Sequence, residues 1–597
     1  MKTTKIILLG VMAVFLGSCV DYLDPYPNGD RSRDDIWEYQ DMVQGLVGQC
    51  YDNMPRNYND NEGAYFDCIS DNAVRTSTTD QLRQMALGVL TTGQDPFRTY
   101  WDRNYKSINL VNMFLENNKG FNTRFIVVAR WDSLVRYRLQ GEAFALRAWF
   151  QWDLLQKFGG RGMDGKMLGF PIVTKPLDFT QEVNLARNSY DECVKQILAD
   201  CDSAYKYLPI AHRDFLVPVD DRTYAGSRYW GRMDGITTRA IKALVYLTWA
   251  SPRFNPGNDI SRWDSAAVNA KKVIDFKLKV DGVVSKGFSP SDQVNWFNPN
   301  FPGIIWSSRY NDKNDAMERM FYPGGFQGNG TMGATQELVD AFPMKNGYPI
   351  TDPRSGYDPQ NPYKNRDPRF YTIIFHNSAQ AKKNNTGAVM YTFENWEGGG
   401  KDAAGASSKN SRTNYHIKKM VFMGLNWSDA SINRQPHSKF FIRWAHMVLT
   451  FAEAANQVVG PTDNAKYGLS AKEAIKYLRT RKNYDGGSGF SSDPYLDEVA
   501  AAGKTTFDAF IKNERRIETC FEGMRFYDLQ RWTTTLAEMN KEVHGAGVIK
   551  NEDGSFTYDL QREVEKRDFK SAYLPVPYDE MLRMSNLVQN EGWDAWK

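Results

Sequence analysis

The 597-residue chain is poor in the residues that usually mark a metalloprotein or a redox enzyme. It has six cysteines and six histidines. No two cysteines are spaced C-x-x-C, so neither a zinc ribbon nor a thiol–disulfide motif is suggested. The histidines, at 212, 376, 416, 437, 446 and 544, lack ligand spacing, and no H-E-x-x-H occurs. A zinc site is therefore not expected. A nucleophile elbow is absent as well. Excess charge is missing: 74 Lys and Arg stand against 71 Asp and Glu, a formal +3. Holding nucleic acid by displacing counterions from phosphates needs a basic balance that this composition does not have. Apolar runs are short. The longest, Ile6–Gly17, has 12 residues, and a membrane span needs about 20. Aromatics, by contrast, are plentiful. With 16 Trp, 31 Tyr and 34 Phe they make 14% of the chain, enough to fill a core and still furnish a surface that stacks on flat, partly apolar ligands.

The apolar run follows Lys2 and Lys5 and ends in small residues, the pattern of a secretory leader. Its last residues, Leu16-Gly17-Ser18-Cys19, resemble the bacterial lipoprotein signal. On that reading residues 1–18 are a signal peptide, 19–597 are the mature body, and the Cys19 thiol carries diacylglycerol. Each buried methylene adds roughly 0.8 kcal/mol, so several acyl chains on one residue give a durable anchor. The bland alternative is an exported soluble protein with a chance cysteine. Without Cys19 five cysteines remain, an odd number. Cys193 and Cys201 lie about 12 Å apart on one expected helix, too far for a disulfide. Cys50 with Cys68 is the one pair that sequence proximity permits.

Helical periodicity dominates the rest. Helices are expected over 34–54, 96–118, 131–158, 189–208, 235–251, 264–276, 438–459, 471–482 and 504–532. Three of them, from Arg147, Arg239 and Arg443 onward, alternate alanines with large apolar residues and then meet a breaker. Packed hairpins of the tetratricopeptide type are built that way. Residues 209–234, 281–334 and 345–437 are long, aromatic-rich insertions. Loops of this length are functional or disordered, and the aromatic content favours ligand contact or packing. The fold expected is mainly α: about four helical hairpins, long loop-rich insertions and a few short strands.

The order of motifs resembles the SusD/RagB family of outer-membrane lipoproteins, nearly end to end. Leu23 and Pro25 precede a helix ending in Cys50-Tyr51-Asp52, and Trp101, Tyr105, Ile108 and Asn109 fit the second helix. Glu142 to Phe150, Phe158-Gly-Gly and Pro171-Ile-Val follow, then Tyr190 to Pro209. Later come Leu338 to Phe342, Asn346-Gly-Tyr-Pro-Ile, Asp367-Pro-Arg and Arg443 to Ala455. The most specific stretch is Ile511 to Glu518 with Phe521 to Trp532, and the chain closes through Tyr573-Leu-Pro-Val-Pro577. The resemblance implies an N-terminal region over 19–215 and a C-terminal region over 216–597, with ligand-facing insertions over 281–437. It implies capture of a glycan at the cell surface, without catalysis, and delivery to a TonB-dependent (SusC-like) transporter of the outer membrane. It implies no cofactor, although some relatives carry structural calcium. Alternatives are a scaffold that binds peptide or protein and, less favoured, a surface glycoside hydrolase.

Several motifs have a bland reading beside the functional one. Glu514, Arg515, Glu518, Glu522, Arg525, Asp528 and Arg531 look catalytic, but their spacing suits ion pairs along one helix. Gly328-Asn-Gly-Thr-Met-Gly333 matches G-x-G-x-x-G without the strand that a dinucleotide site needs before it; a glycine loop entering a helix capped near Thr335 is expected. Asn57, Asn59 and Asn61 resemble the start of a calcium loop that lacks its turn glycine and closing Glu. For a sugar, aromatic faces and short polar or planar charged groups on loops are required. The family places such contacts on an early loop and a middle insertion. The candidates are Asp71, Asn72 and Arg75, with Trp296, Tyr310, Tyr322 and Phe326. Trp306 reads as core, and Trp396, beside a glycine stretch, is an outside candidate.

Overall fold

The computed structural model describes residues 35–596, apart from 57, 59–62, 178–181, 282–294, 299, 310–311, 383–386, 426, 428–432, 482–488 and 491. Cys19, Asn57, Asn59, Asn61 and Tyr310 lie outside these residues. The body is built on helices α1 (Gln40–Asp52), α2 (Arg98–Leu115), α3 (Ala129–Phe158), α4 (Tyr190–Tyr207) and α5 (Gly235–Ala250). It continues with α6 (Ile260–Phe276), α7 (Trp444–Val459), α8 (Ala471–Arg479), α9 (Lys504–Thr519) and α10 (Arg525–Trp532). Successive helices pack as hairpins, α1 on α2, α3 on α4, α5 on α6 and α7 on α8, and each hairpin rests on the next. Alanines let them approach: Ala240 and Ala243 of α5 and Ala266, Ala267 and Ala270 of α6 have no exposed surface. Local signals start the helices where the sequence suggests. Ser189 and Ser470 each form a capping box, with Glu192 and Glu473, and the Asp234 carboxylate accepts from the Thr237 N–H at 2.8 Å.

Strands that bear on the site include β1 (Ala73–Arg75), β2 (Ile304–Ser307), β3 (Met332–Ala334), β4 (Phe440–Arg443), β5 (Glu542–Lys550) and β6 (Phe556–Lys566). They pair antiparallel as β1–β3, β2–β4 and β5–β6. Two hydrophobic cores result. The larger lies among the helical hairpins. The second, in the loop-rich half, gathers Phe321, Tyr322, Phe342, Phe370, Phe375, Phe393 and Tyr415.

Two expected helices need correction, and the one disulfide that sequence proximity permits does not form. The helix expected from Ser438 starts at Trp444, because Phe440–Arg443 is a strand buried at every position; a run buried on both faces has no helical signature. The helix expected over 504–532 breaks between Thr519 and Arg525. Phe521 (φ +64°) and Gly523 (φ +78°) turn left-handed there, which no α-helix can hold, and the Phe521 N–H donates to Asp67 Oδ2 at 2.6 Å. Cys50 and Cys68 are not bonded: all five described cysteines are free and buried. Cys50 belongs to the helical core and Cys68 to the loop-rich one.

Candidate ligand-binding surface

The two stretches expected to meet a ligand, the early loop and the middle insertion, are joined by strand pairing. Ala73, Val74 and Arg75 of β1 face Ala334, Gly333 and Met332 of β3. The Thr76 N–H donates to the Thr331 carbonyl at 3.0 Å, and Arg75 Nη1 reaches the same oxygen at 3.3 Å. Two glycines of the G-x-G-x-x-G run let the 409–415 segment come close to β3 and the turn before it. A Cβ on Gly333 would fall 1.7 Å from Ser411 Oγ, and one on Gly330 (φ +47°) would fall 2.1 Å from the Lys409 carbonyl. Thr335 then caps the Gln336–Ala341 helix by accepting from the Leu338 N–H at 3.2 Å, as the bland reading of that motif has it.

The sequence candidates fare unequally on this surface. Asp71 is gripped by Arg525 Nε and Nη2 at 2.8 and 2.9 Å, with Arg516 Nη2 at 3.1 Å. Burial alone would raise its pKa, but the two guanidiniums prevail and hold the carboxyl well below the usual carboxylate range. Asn72 is fully buried, donating to Asp67 Oδ2 at 3.0 Å and accepting from Arg516 Nε at 2.8 Å. Arg75 lies over the Tyr65 ring at 3.6 Å and pairs with Asp80 at 2.7 Å. Tyr322 is buried, its hydroxyl donating to the Phe422 carbonyl at 3.0 Å. Phe326 is 7% exposed. Asn72, Tyr322 and Phe326 thus pack the wall of the surface and present almost nothing to a ligand. Half-buried Trp296 stacks on Phe440 (5.4 Å, 12°) and meets Tyr58 edge-on, so one ring face is already covered. Trp306 is core, as expected, with Nε1 donating to the Gly231 carbonyl.

Of the groups that do reach the outside, sequence reasoning named Trp396 as an outside candidate and missed Tyr391, Trp427 and the lysines. The Tyr391 ring stacks on Phe326 (4.6 Å, 20°), which serves as its floor. Its hydroxyl donates to Asp402 Oδ1 at 2.7 Å, and Lys401 Nζ sits 4.3 Å from its centroid. Half-buried Trp427 meets Tyr322 and Phe326 edge-on, with the Arg319 guanidinium at 5.4 Å. Half-buried Trp396 has Lys550 Nζ at 4.9 Å. Gly324 and Gly325 run between Lys409 and Tyr391: a Cβ on Gly324 would lie 3.0 Å from Lys409 Cβ, and one on Gly325 would lie 2.2 Å from the Tyr391 hydroxyl. Asn410 fastens this arrangement, donating to the Lys401 and Ala403 carbonyls and accepting from the Gly324 N–H. The result is a ridge of partly exposed rings, lysines and backbone that continues into the β1–β3 pair through Gly330. The sequence signals for it were Trp396 and the glycine stretch Gly398-Gly-Gly with the lysine that follows.

Away from these groups, the Ile511–Trp532 stretch holds Asp71 and Asn72 of the early loop. Its carboxylates are held structurally, as expected, but its partners correct the one-helix reading. Glu522 binds Arg443 Nε and Nη2 at 2.8 and 2.7 Å, Lys419 Nζ at 2.7 Å and His446 Nε2 at 3.0 Å. Glu518 binds Arg443, Arg481 and Arg369; Glu514 binds Arg369 and Arg479. Arg531 chelates Glu453. These pairs tie α9 and α10 to β4, α7, α8 and the Pro368–Ile373 helix. Within the stretch itself Asp528 alone is shared, by Arg515 and Arg531. Among the described residues, no group of three or more His, Cys, Asp or Glu is placed to hold a metal ion.

Comparison with known proteins agrees in sequence and in shape. Residues 302–593 match the model of the SusD family, and residues 21–219 match one described as starch-binding associating with outer membrane. SusD-like protein P38 of Formosa agariphila is 22% identical over 550 residues, 90% of this chain and 92% of that one. A SusD-like protein of Bacteroides fragilis superposes with a TM-score of 0.68 at 22% identity, covering 94% of this chain and 98% of that one. A SusD-like carbohydrate binding protein of the same species gives 0.66 at 17% identity, over 92% and 99%.

Proposed function

The chain belongs to the SusD/RagB family, and from that premise we propose that it captures a glycan at the cell surface and does not cleave it. Relatives in shape include a carbohydrate binding protein of Bacteroides fragilis and a surface glycan-binding protein of Bacteroides uniformis. One observation carries the reading to this chain. The early loop, the Gly324–Gly333 segment and the 391–410 loops converge on one ridge, where half-exposed aromatic faces alternate with lysines and backbone polar groups. Pyranoses need that mixture: an apolar face for their C–H groups and donors and acceptors for the hydroxyls. The carboxylates that look catalytic in sequence are occupied by arginines, which favours binding over hydrolysis. The protein is placed at the outer membrane through lipid on Cys19, and the captured glycan passes to a SusC-like TonB-dependent transporter.

Calorimetric titration of the lipid-free protein with oligosaccharides tests this directly. Saturable binding with no new reducing ends after prolonged incubation is expected. Protein-dependent reducing ends from a bound polysaccharide would favour the glycoside hydrolase. A scaffold reading has one feature in its favour, an apolar cleft of ≈ 800 Å³ on the helical half lined by Trp101, Tyr105, Leu110, Leu185 and Met584. It would gain if a protein partner bound and no glycan did.

A further inference from the structure

We propose that the glycan is anionic, bearing carboxylate or sulfate groups, and that Lys401, Lys409 and Lys550 recognise its charge; this rests on the glycan-capture reading above. All three lysines are exposed. Among the described residues, Lys409 and Lys550 meet no carboxylate within ion-pair distance, and Lys401 has only Glu394 at 3.7 Å. Other acids nearby have partners of their own. Asp402 is buried under the Tyr391 hydroxyl and the Glu394 N–H, Glu397 lies 4.0 Å from Arg562, and Asp315 is shared by Arg319 and Arg434.

Geometry adds a reason why charge matters. The ammoniums of Lys401 and Lys550 lie on the rings of Tyr391 and Trp396. A sugar can stack there only after the lysine has moved off. A neutral sugar displaces the cation and offers it only uncharged hydroxyl oxygens to bond. An anionic sugar takes the ammonium into a charge-assisted hydrogen bond, stronger than the exposed cation–π contact it replaces, and uncovers the ring for its own apolar face. Tyr391 stays in place meanwhile, because Phe326 floors the ring and Asp402 holds the hydroxyl. The ridge therefore couples charge recognition to stacking and selects against neutral chains.

The test is affinity gel electrophoresis against matched polysaccharides. Polygalacturonate against its methyl ester reads carboxylate; carrageenan against its chemically desulfated form reads sulfate; neutral xylan, mannan and starch complete the panel. Retardation by the charged member of at least one pair, roughly tenfold stronger than by its neutral partner and weakened by 0.5 M NaCl, is expected. Lys401→Gln with Lys409→Gln and Lys550→Gln should abolish that difference without moving the melting temperature. Equal binding of charged and neutral partners, binding confined to neutral chains, or an unaffected triple variant would overturn the charge proposal and leave glycan capture standing. Retardation by no polysaccharide at all would overturn both.

Discussion

His376, His416 and His446 are enclosed in the protein, and burial pushes each imidazole from its ordinary 6.5 down to about 4. His376 packs against Tyr363 and Phe370, and His446 faces the Glu522 carboxylate. The unfolded chain binds these protons first, so their contribution is fully present above pH 6.5 and is lost as pH falls toward 4. Asp67 acts in the opposite sense. Burial raises its pKa to about 6, so its contribution grows as pH falls through 6. Asp95, Asp200, Asp340, Asp402 and Glu580 are raised by burial too and offset part of the loss, while His212 is lowered and adds to it; with the histidines prevailing, the melting temperature should drop between about pH 7 and pH 4. His446→Gln should flatten that slope. A melting temperature that holds or rises over the same range would show that the imidazoles are not kept neutral by the fold.

Among elements, glycine loops and caps divide the work between binding and stability. Gly330 turns left-handed against the Lys409 carbonyl, so Gly330→Val must push the 401–410 loop away. A β-branched residue is strained at positive φ by roughly 1–3 kcal/mol, and the displaced loop should weaken glycan binding about tenfold. Ser189→Ala is the contrasting case. It removes the cap of α4, far along the helical half, at about 1 kcal/mol, and should leave affinity unchanged. Titration and thermal melts of both variants separate the two roles; equal affinity of Gly330→Val and wild type would remove the 401–410 loop from the site. The β5–β6 hairpin, which the helical reading overlooked, was partly legible. Phe556, Tyr558 and Leu560 alternate with Thr557, Asp559 and Gln561, and Asp553-Gly554 sits in the turn, with Gly554 at φ +84°.

For the whole molecule, the proposed lipid anchor can be tested apart from the body. No helix among the described residues is long and apolar enough to cross a membrane, and attachment is expected through Cys19. Cys19→Ala should release the protein from the membrane fraction or leave its precursor unprocessed, while the soluble form still binds glycan. Detergent-phase partitioning equal to wild type would refute lipid attachment. Inside the body, the ion pairs of Ile511–Trp532 couple the two cores. Arg443 reaches from β4, at the start of α7, to Glu518 and Glu522, so the helical hairpins and the loop-rich half are joined through desolvated charge. Removing one partner of such a pair leaves an uncompensated buried ion.

Sequence alone determined the helical hairpins, because 3.6-residue periodicity, alanine spacing and capping serines are local signals read within one turn or two. It also determined the family, through an ordered series of motifs, and the bland nature of the G-x-G-x-x-G run. Tertiary structure decided everything that depends on which distant groups meet. Asp71 and Asn72 look like ligand groups until Arg516 and Arg525, more than 400 residues later, are seen to hold them. Tyr322 and Phe326 look like platforms until Tyr391 and Trp427 lie over them. A polar or aromatic side chain has the same one-letter code whether its partner is protein or ligand, and only the packing of remote segments fixes which it is.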